Sequence, residues 1–138
     1  MAKQNHKGGC LCGGVRYEVR SELRPVVACH CSQCRRTSGN FVTATNCGLG
    51  DILFACDDTL RWYRSSDTAE RGFCCVCGSN LFWRPINGDH LSIMAGTLDT
   101  PTGKVRAIRY PARFNGHLLK PRGAAPGLGE GNAELFDA

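Results

Sequence analysis

The chain predicts a single, mainly β domain, on three observations. Short runs of β-forming residues recur along it, turn signals containing glycine or proline separate several of them, and no window of ten residues sustains a 3.6-residue apolar period. A length of 138 residues fits one domain and leaves no room for two independent cores. With 42% hydrophobic and 21% charged residues, the composition is globular and far from that of a disordered chain.

The clearest early strand follows Gly13, where Val15, Tyr17 and Val19 alternate with Arg16, Glu18 and Arg20 in the period of a half-buried strand. Val26-Val27-Ala28 and Phe41-Val42-Thr43-Ala44-Thr45 are rich in β-formers and flank a cysteine cluster, which is therefore expected on a loop or short turn between two strands. Leu60 to Arg64, with Trp62 and Tyr63, reads as another strand. Leu81-Phe82-Trp83-Arg84 and Leu91-Ser92-Ile93-Met94 flank Asn87-Gly88 and read as a hairpin, with Pro85 calling for an edge position or a longer loop. Val105 to Tyr110 supplies one more strand. Residues 1–120 form the expected folded domain, and 121–138, rich in glycine, proline and alanine, an expected flexible tail.

Ten cysteines are well above ordinary usage and point to a disulfide or a metal scaffold. The polar, basic start, Met1 to Lys7, carries no secretory or transit pattern, and no apolar run approaches the roughly 20 residues of a membrane helix. The expected compartment is the cytoplasm, with no membrane span. Thiols there do not persist as structural disulfides, so clustered cysteines point to metal or to chemistry. Seventeen Lys and Arg against twelve Asp and Glu give a net charge of +5. The cations are dispersed and Arg35-Arg36 is no dense basic run, so nucleic acid is not the expected partner.

Two cysteine constellations carry the chemistry. Gly9-Cys10-Leu11-Cys12-Gly13 and Phe73-Cys74-Cys75-Val76-Cys77-Gly78 together offer four thiolates on tight, glycine-flanked turns, the donor set of a closed tetrahedral zinc site. Joining them closes a long loop, so metal binding there would contribute to folding. The alternative is four ordinary buried cysteines. The second constellation is Cys29-His30-Cys31-Ser32-Gln33-Cys34. Three ligands and an open position are the pattern of a catalytic zinc site, and three thiolates on a divalent ion leave a net negative centre, better suited to thiol exchange than to hydrolysis. Two other readings stay open: a second structural site completed by His30, His6, His90, His117, Cys47 or Cys56, or reactive cysteines without metal.

These residues, with Gly39, Tyr63, Ser65-Ser66, Arg71 and Ala95-Gly96-Thr97-Leu98-Asp99, resemble the glutathione-dependent formaldehyde-activating enzyme family, shared with centromere protein V. The match runs in order from about residue 8 to 99. The resemblance implies a β-tent fold of stacked antiparallel sheets, a structural zinc on Cys10, Cys12, Cys74 and Cys77, and a second zinc on Cys29, Cys31 and Cys34. It also implies a carbon–sulfur lyase, like S-(hydroxymethyl)glutathione synthase, that joins glutathione or a related thiol to formaldehyde. The stretch Ile108 to His117 departs from the family's usual histidine-bearing segment.

The proposed catalytic set is Cys29, Cys31 and Cys34, with the open position taking the substrate thiol near an aldehyde carbon. Arg35, Arg36 and Arg71 are candidates for the carboxylates of a glutathione-like ligand, against a bland reading as solvated arginines. Ser65 and Ser66 either bond ligand or end a strand. His30 is a proton shuttle or faces away from the metal. Cys47, Cys56 and Cys75 read as small apolar residues or spare thiols, Trp62, Phe82 and Trp83 as core aromatics, and Asp99 as a turn-fixing residue. A nucleic-acid-binding module and a zinc scaffold without chemistry are the competing functions.

Overall fold

The computed structural model describes residues 5–100 with their side chains, and the backbone of 105–110. Among these residues the strands form two sheets. The small sheet holds β1 (His6–Gly9), β2 (Arg16–Val19) and β5 (Ile52–Cys56), in the order β1-β2-β5. The large sheet holds β3 (Val26–Cys29), β4 (Val42–Gly48), β6 (Leu60–Arg64), β7 (Ala69–Cys74), β8 (Asn80–Pro85), β9 (His90–Met94) and β10 (Val105–Tyr110), in the order β10-β3-β4-β9-β8-β7-β6. All neighbours pair antiparallel except β10 and β3, which run parallel. The expected tail over 121–138 lies outside the described residues.

The large sheet has two different faces, because its strands alternate. Phe82, Leu91 and Ile93 turn to one face and meet Val15, Tyr17, Val19 and Ile52 of the small sheet and its approach. Phe82, with no exposed surface, is the hub: its ring lies edge-on to Tyr17 at 5.2 Å and to Phe54 at 5.7 Å, and stacks on Trp62 at 6.2 Å. The opposite face carries Val42, Ala44, Met94 and Trp83, which pack with Cys29, Cys31 and Cys34. One face therefore holds the sheets together and leaves the other for the site.

The 95–99 segment clamps the two sheets. Tyr17 and Thr97 share a 2.7 Å hydroxyl–hydroxyl bond, the Asp99 amide donates to the Lys7 carbonyl at 2.9 Å, and Asp99 takes both terminal nitrogens of Arg16. Asp99 thus acts through the distant Arg16 and Lys7, and its side chain makes no hydrogen bond within its own turn among the described residues. Gly8 fits because a Cβ there would overlap the Tyr17 phenol and the Thr97 carbonyl.

Three expectations need correction or refinement. Cys29 to Cys34 do not lie on a plain loop: Cys29 ends β3, Cys31 caps a helix, and Cys34 sits within that helix, α1 (Ser32–Ser38). The Cys31 sulfur accepts the Cys34 amide at 3.4 Å, and Gly39, at φ 79°, closes the helix by donating to Arg35 O at 2.9 Å. Seven residues are too few for an apolar period to register. Pro85 ends β8 in mid-sheet, between β7 and β9, so the hairpin has the longer loop and not an edge position. β1, β5 and β7 were not expected from the sequence at all.

Replacing Phe82 by Ala should lower unfolding free energy by about 3–5 kcal/mol, since it empties the contact shared by three aromatic rings. Urea denaturation of the metal-loaded protein checks this, and a loss below about 1 kcal/mol would contradict the hub.

Candidate metal centres and the adjoining cleft

The first centre is built by two turns of the same design. Cys10 and Cys12 lie in the turn after β1, where the Gly13 amide donates to Cys10 O at 3.3 Å and Gly13 takes φ 82°. Cys74 ends β7, the Gly78 amide donates to Cys74 O at 2.9 Å, and Gly78 takes φ 76°. These two positive φ values are why glycine follows each cysteine pair. The turns are cross-tied, the Leu11 amide donating to Ser79 Oγ at 3.0 Å.

All four sulfurs lie within 4.8 Å of one another, with Cys10–Cys12 and Cys12–Cys74 both at 3.6 Å. Tetrahedral zinc with sulfur at about 2.3 Å places its ligands about 3.8 Å apart, so the donor set and spacing fit that ion. The electrostatics of the thiols are compatible with a bound cation. Bonds from the Ser79 hydroxyl and amide hold Cys77 down at about 5, and the Cys77 amide, with Thr59, lowers Cys74. Cys12 is lowered by the Gly14 amide but driven the other way by Cys10, burial, Cys74 and Cys77, ending at about 12. Four adjacent thiols cannot all ionise without a positive charge among them.

The second centre is Cys29, Cys31 and Cys34, whose sulfurs also lie within 4.8 Å of one another. Among the described residues no fourth ligand atom joins them. The Cys34 hydrogen bond, helped by the Cys31 amide, lowers Cys29 to about 5, while that same bond and burial push Cys34 upward. Arg71 of β7, only 5% exposed, brings Nη2 to 3.6 Å from the Cys34 sulfur and 3.3 Å from Gln33 Oε1. Its Nε and Nη1 are buried and have no hydrogen-bond partner among the described residues.

Beside this centre lies a cavity of about 490 Å³, within the size range of small-molecule sites. Val27, Val42, Ala44 and Met94 give it apolar walls, and Gln33, Ser66, Thr68, Arg71 and Ser92 its polar ones. Arg24, Asn46, Ala69, Trp83 and His90 also line it, and among the described residues no Asp or Glu does. The structure thus brings Arg71 and Ser66 to the cysteines, but not the other substrate candidates. Arg35 and Arg36 lie on α1 away from the cavity wall, and Ser65 shapes the β6–β7 turn, its amide donating to Ala69 O and its carbonyl accepting Gln33 Nε2.

Of the proposed fourth ligands, His90 lines the cavity, His30 stacks on Phe41 with ring centroids 4.9 Å apart, and His117 lies outside the described residues. Cys47 is buried in the sheet interface, where desolvation raises it to about 11; Cys56 donates to Gly14 O; Cys75 is exposed. Trp83 is a cavity residue as well as a packing one, whereas Trp62 carries the Arg84 guanidinium over its ring at 3.9 Å. Arg24 and Asn46 were missed by sequence reasoning, because they come from separate elements and share no motif; His90 was named there only as a possible fourth metal ligand.

A family model for the glutathione-dependent formaldehyde-activating enzyme matches residues 5–110. The chain belongs to that family. An uncharacterized lyase of Schizosaccharomyces pombe is 30% identical over 83 residues, and the match covers 60% of each protein. A crystal structure of a Rhodobacter sphaeroides protein aligns with a TM-score of 0.62 at 27% identity, over 75% of this chain and 99% of that one. The formaldehyde-activating family match contains both cysteine centres and every cavity-lining residue.

Arg71 is the buried counter-charge of the second centre. Arg71→Met should weaken metal binding there about tenfold, as loss of an outer-shell partner does, and leave the four-cysteine centre unchanged. Competition with a chromophoric chelator separates the two sites; equal weakening of both would contradict the assignment.

Proposed function

We propose that the protein is a zinc-dependent carbon–sulfur lyase, acting in the cytoplasm, that joins a glutathione-like thiol to formaldehyde or a related small aldehyde. The observation that carries the reading is the contrast between a closed four-sulfur centre and an incomplete three-sulfur centre opening on a cavity. Membership of the formaldehyde-activating family supports the reaction class. Cys10, Cys12, Cys74 and Cys77 hold a structural zinc that stabilises a β-tent arrangement of the sheets, and Cys29, Cys31 and Cys34 hold a second.

When bound at the second centre, zinc supplies an open coordination position and favours the ionised form of a thiol at neutral pH. The chain's own groups do the rest. Arg71 offsets the negative charge of the three sulfurs, and Gln33 holds Arg71 in place. The apolar walls exclude water and keep thiol and aldehyde together, which replaces an encounter in solution by a positioned one. The substrate sulfur gives an electron pair to the carbonyl carbon, the carbon–oxygen π pair moves to oxygen, and that oxygen takes up the proton the thiol released. One thiol and one aldehyde give one hemithioacetal, and the reverse steps release them. Ser66 and Thr68 are the hydroxyls on the cavity wall within the same turn region and are candidates to bond the aldehyde oxygen.

Two-dimensional NMR exchange spectroscopy on formaldehyde and glutathione tests the reading. The metal-loaded wild type should accelerate exchange over buffer. Cys31→Ser should fall to the buffer rate, stay folded and lose one metal equivalent of two, whereas Cys77→Ser should lose the other and unfold at lower temperature. No acceleration by the wild type would remove the activity, and two tightly kept metals in Cys31→Ser would remove the ligand assignment.

A further inference from the structure

Strand register sorts the cavity wall into rows. Cys29 on β3 stands opposite Val42 on β4, and the next row on the same face is Val27 on β3, Ala44 on β4 and Met94 on β9, each opposite its neighbour. That row carries only apolar side chains. Polar groups return one row farther on, where Asn46 stands opposite Ser92. Cys34, Val42, Ala44 and Met94 pack as one cluster, with Cys29, Cys31 and Trp83 against it, so apolar surface adjoins the three sulfurs directly.

An apolar wall calls for an apolar occupant. Formaldehyde has no carbon besides the one that reacts, and it is hardly larger than a water molecule, whose share of liquid volume is about 30 Å³. The cavity measures about 490 Å³. A glutathione-like thiol has a polar, charged body, and laying that body on Val27, Ala44 and Met94 would strip its water without returning hydrogen bonds. The side chains able to return them, such as Gln33, Ser66 and Thr68, come from α1 and the β6–β7 turn. What the apolar row fits is a carbon chain on the carbonyl partner.

We propose that the carbonyl substrate is an aldehyde with an apolar substituent of several carbons, and that Val27, Val42, Ala44, Met94 and Trp83 form the pocket for that substituent. The chemistry rests on the function proposed above; the pocket and its selectivity are the new claim. The balance of the reaction is unchanged: the sulfur–carbon bond forms, the carbon–oxygen π bond opens, the thiol proton ends on that oxygen, and the substituent takes no part. Met94 is unbranched and adapts to occupants of different shape, and Trp83 offers a flat ring. Each methylene buried there should add about fourfold in affinity, the equivalent of roughly 0.8 kcal/mol.

The test separates the pocket from the reaction. Primary amides from butanamide to heptanamide keep a carbonyl and a chain but do not add thiols, and their binding to the metal-loaded full chain is read by isothermal titration. Wild-type affinity should rise about fourfold per methylene. Ala44→Leu fills the pocket from β4 and should cut heptanamide affinity at least about tenfold, flattening the series. Val42→Thr keeps the shape but adds a hydroxyl to the wall, should weaken heptanamide about threefold, and carries the test if the larger side chain costs the fold. The same chain lengths are then run in exchange spectroscopy, once as aldehydes with glutathione and once as n-alkyl thiols with formaldehyde; acceleration over buffer should grow along the aldehydes. A flat amide series in the wild type, a slope that survives both substitutions, or a gain confined to the thiols would overturn the pocket. A steep amide series that the variants flatten, with no aldehyde exchanged faster than in buffer, keeps the carbonyl pocket and removes the lyase reading. Accelerated formaldehyde exchange with a flat amide series removes the pocket alone.

Discussion

Four thiols gathered within 4.8 Å are the constraint on which the rest of the molecule depends. Cys10 and Cys12 belong to the turn leaving the small sheet, Cys74 and Cys77 to the turn leaving β7 of the large one. Their union ties the two sheets, and the 95–99 clamp ties the small sheet again through Arg16, Tyr17 and Lys7. Between these two ties Phe82 finds its partners on both sheets. The thiols themselves are in electrostatic conflict, some pulled down by hydroxyl and amide donors and one pushed up by its neighbours. A cation bound there would resolve that conflict and join two distant parts of the chain at once.

The large sheet then separates stability from chemistry. Residues of β8 and β9 alternate between the inter-sheet core and the cleft, Phe82, Leu91 and Ile93 on one side, Trp83, Ser92 and Met94 on the other. The three-cysteine centre sits on the cleft side because β3 ends there and α1 begins there, its first turn tightened by the Cys31 sulfur itself. Arg71 reaches the same place from β7 and places a buried positive charge where three sulfurs collect. A cavity with arginines and, among the described residues, no acids on its wall suits an anionic occupant.

How much of this was legible depended on whether the signal was local. The strand at Arg16–Val19 was plain because its alternation survives in the burial, with Val15, Tyr17 and Val19 buried. β6, β8 and β9 were legible for the same kind of reason. β1, His-Lys-Gly-Gly, contains no β-former, and becomes a strand only because β2 pairs with it and Tyr17 packs over Gly8. β5 is an unbroken apolar run with three exposed residues at the edge of its sheet, so its pattern names no face. β7 hides an arginine and a glycine in the sheet interior, against every local preference, because Arg71 serves the cysteines and Gly72 lets Phe82 and Trp62 close in.

The sequence by itself determined the donors and their turns: which cysteines come in pairs, which glycines follow them, and which three stand together at residues 29 to 34. Short spacing is local information, and ligand chemistry follows from residue type. Only the tertiary structure decided what surrounds them. Arg35 and Arg36, adjacent in sequence to the second centre, lie off the cavity wall, while Arg24, Asn46 and His90, outside both cysteine motifs, are part of it. The reason is that a cleft wall is set by strand register and sheet order, which bring together side chains from elements that share no local pattern.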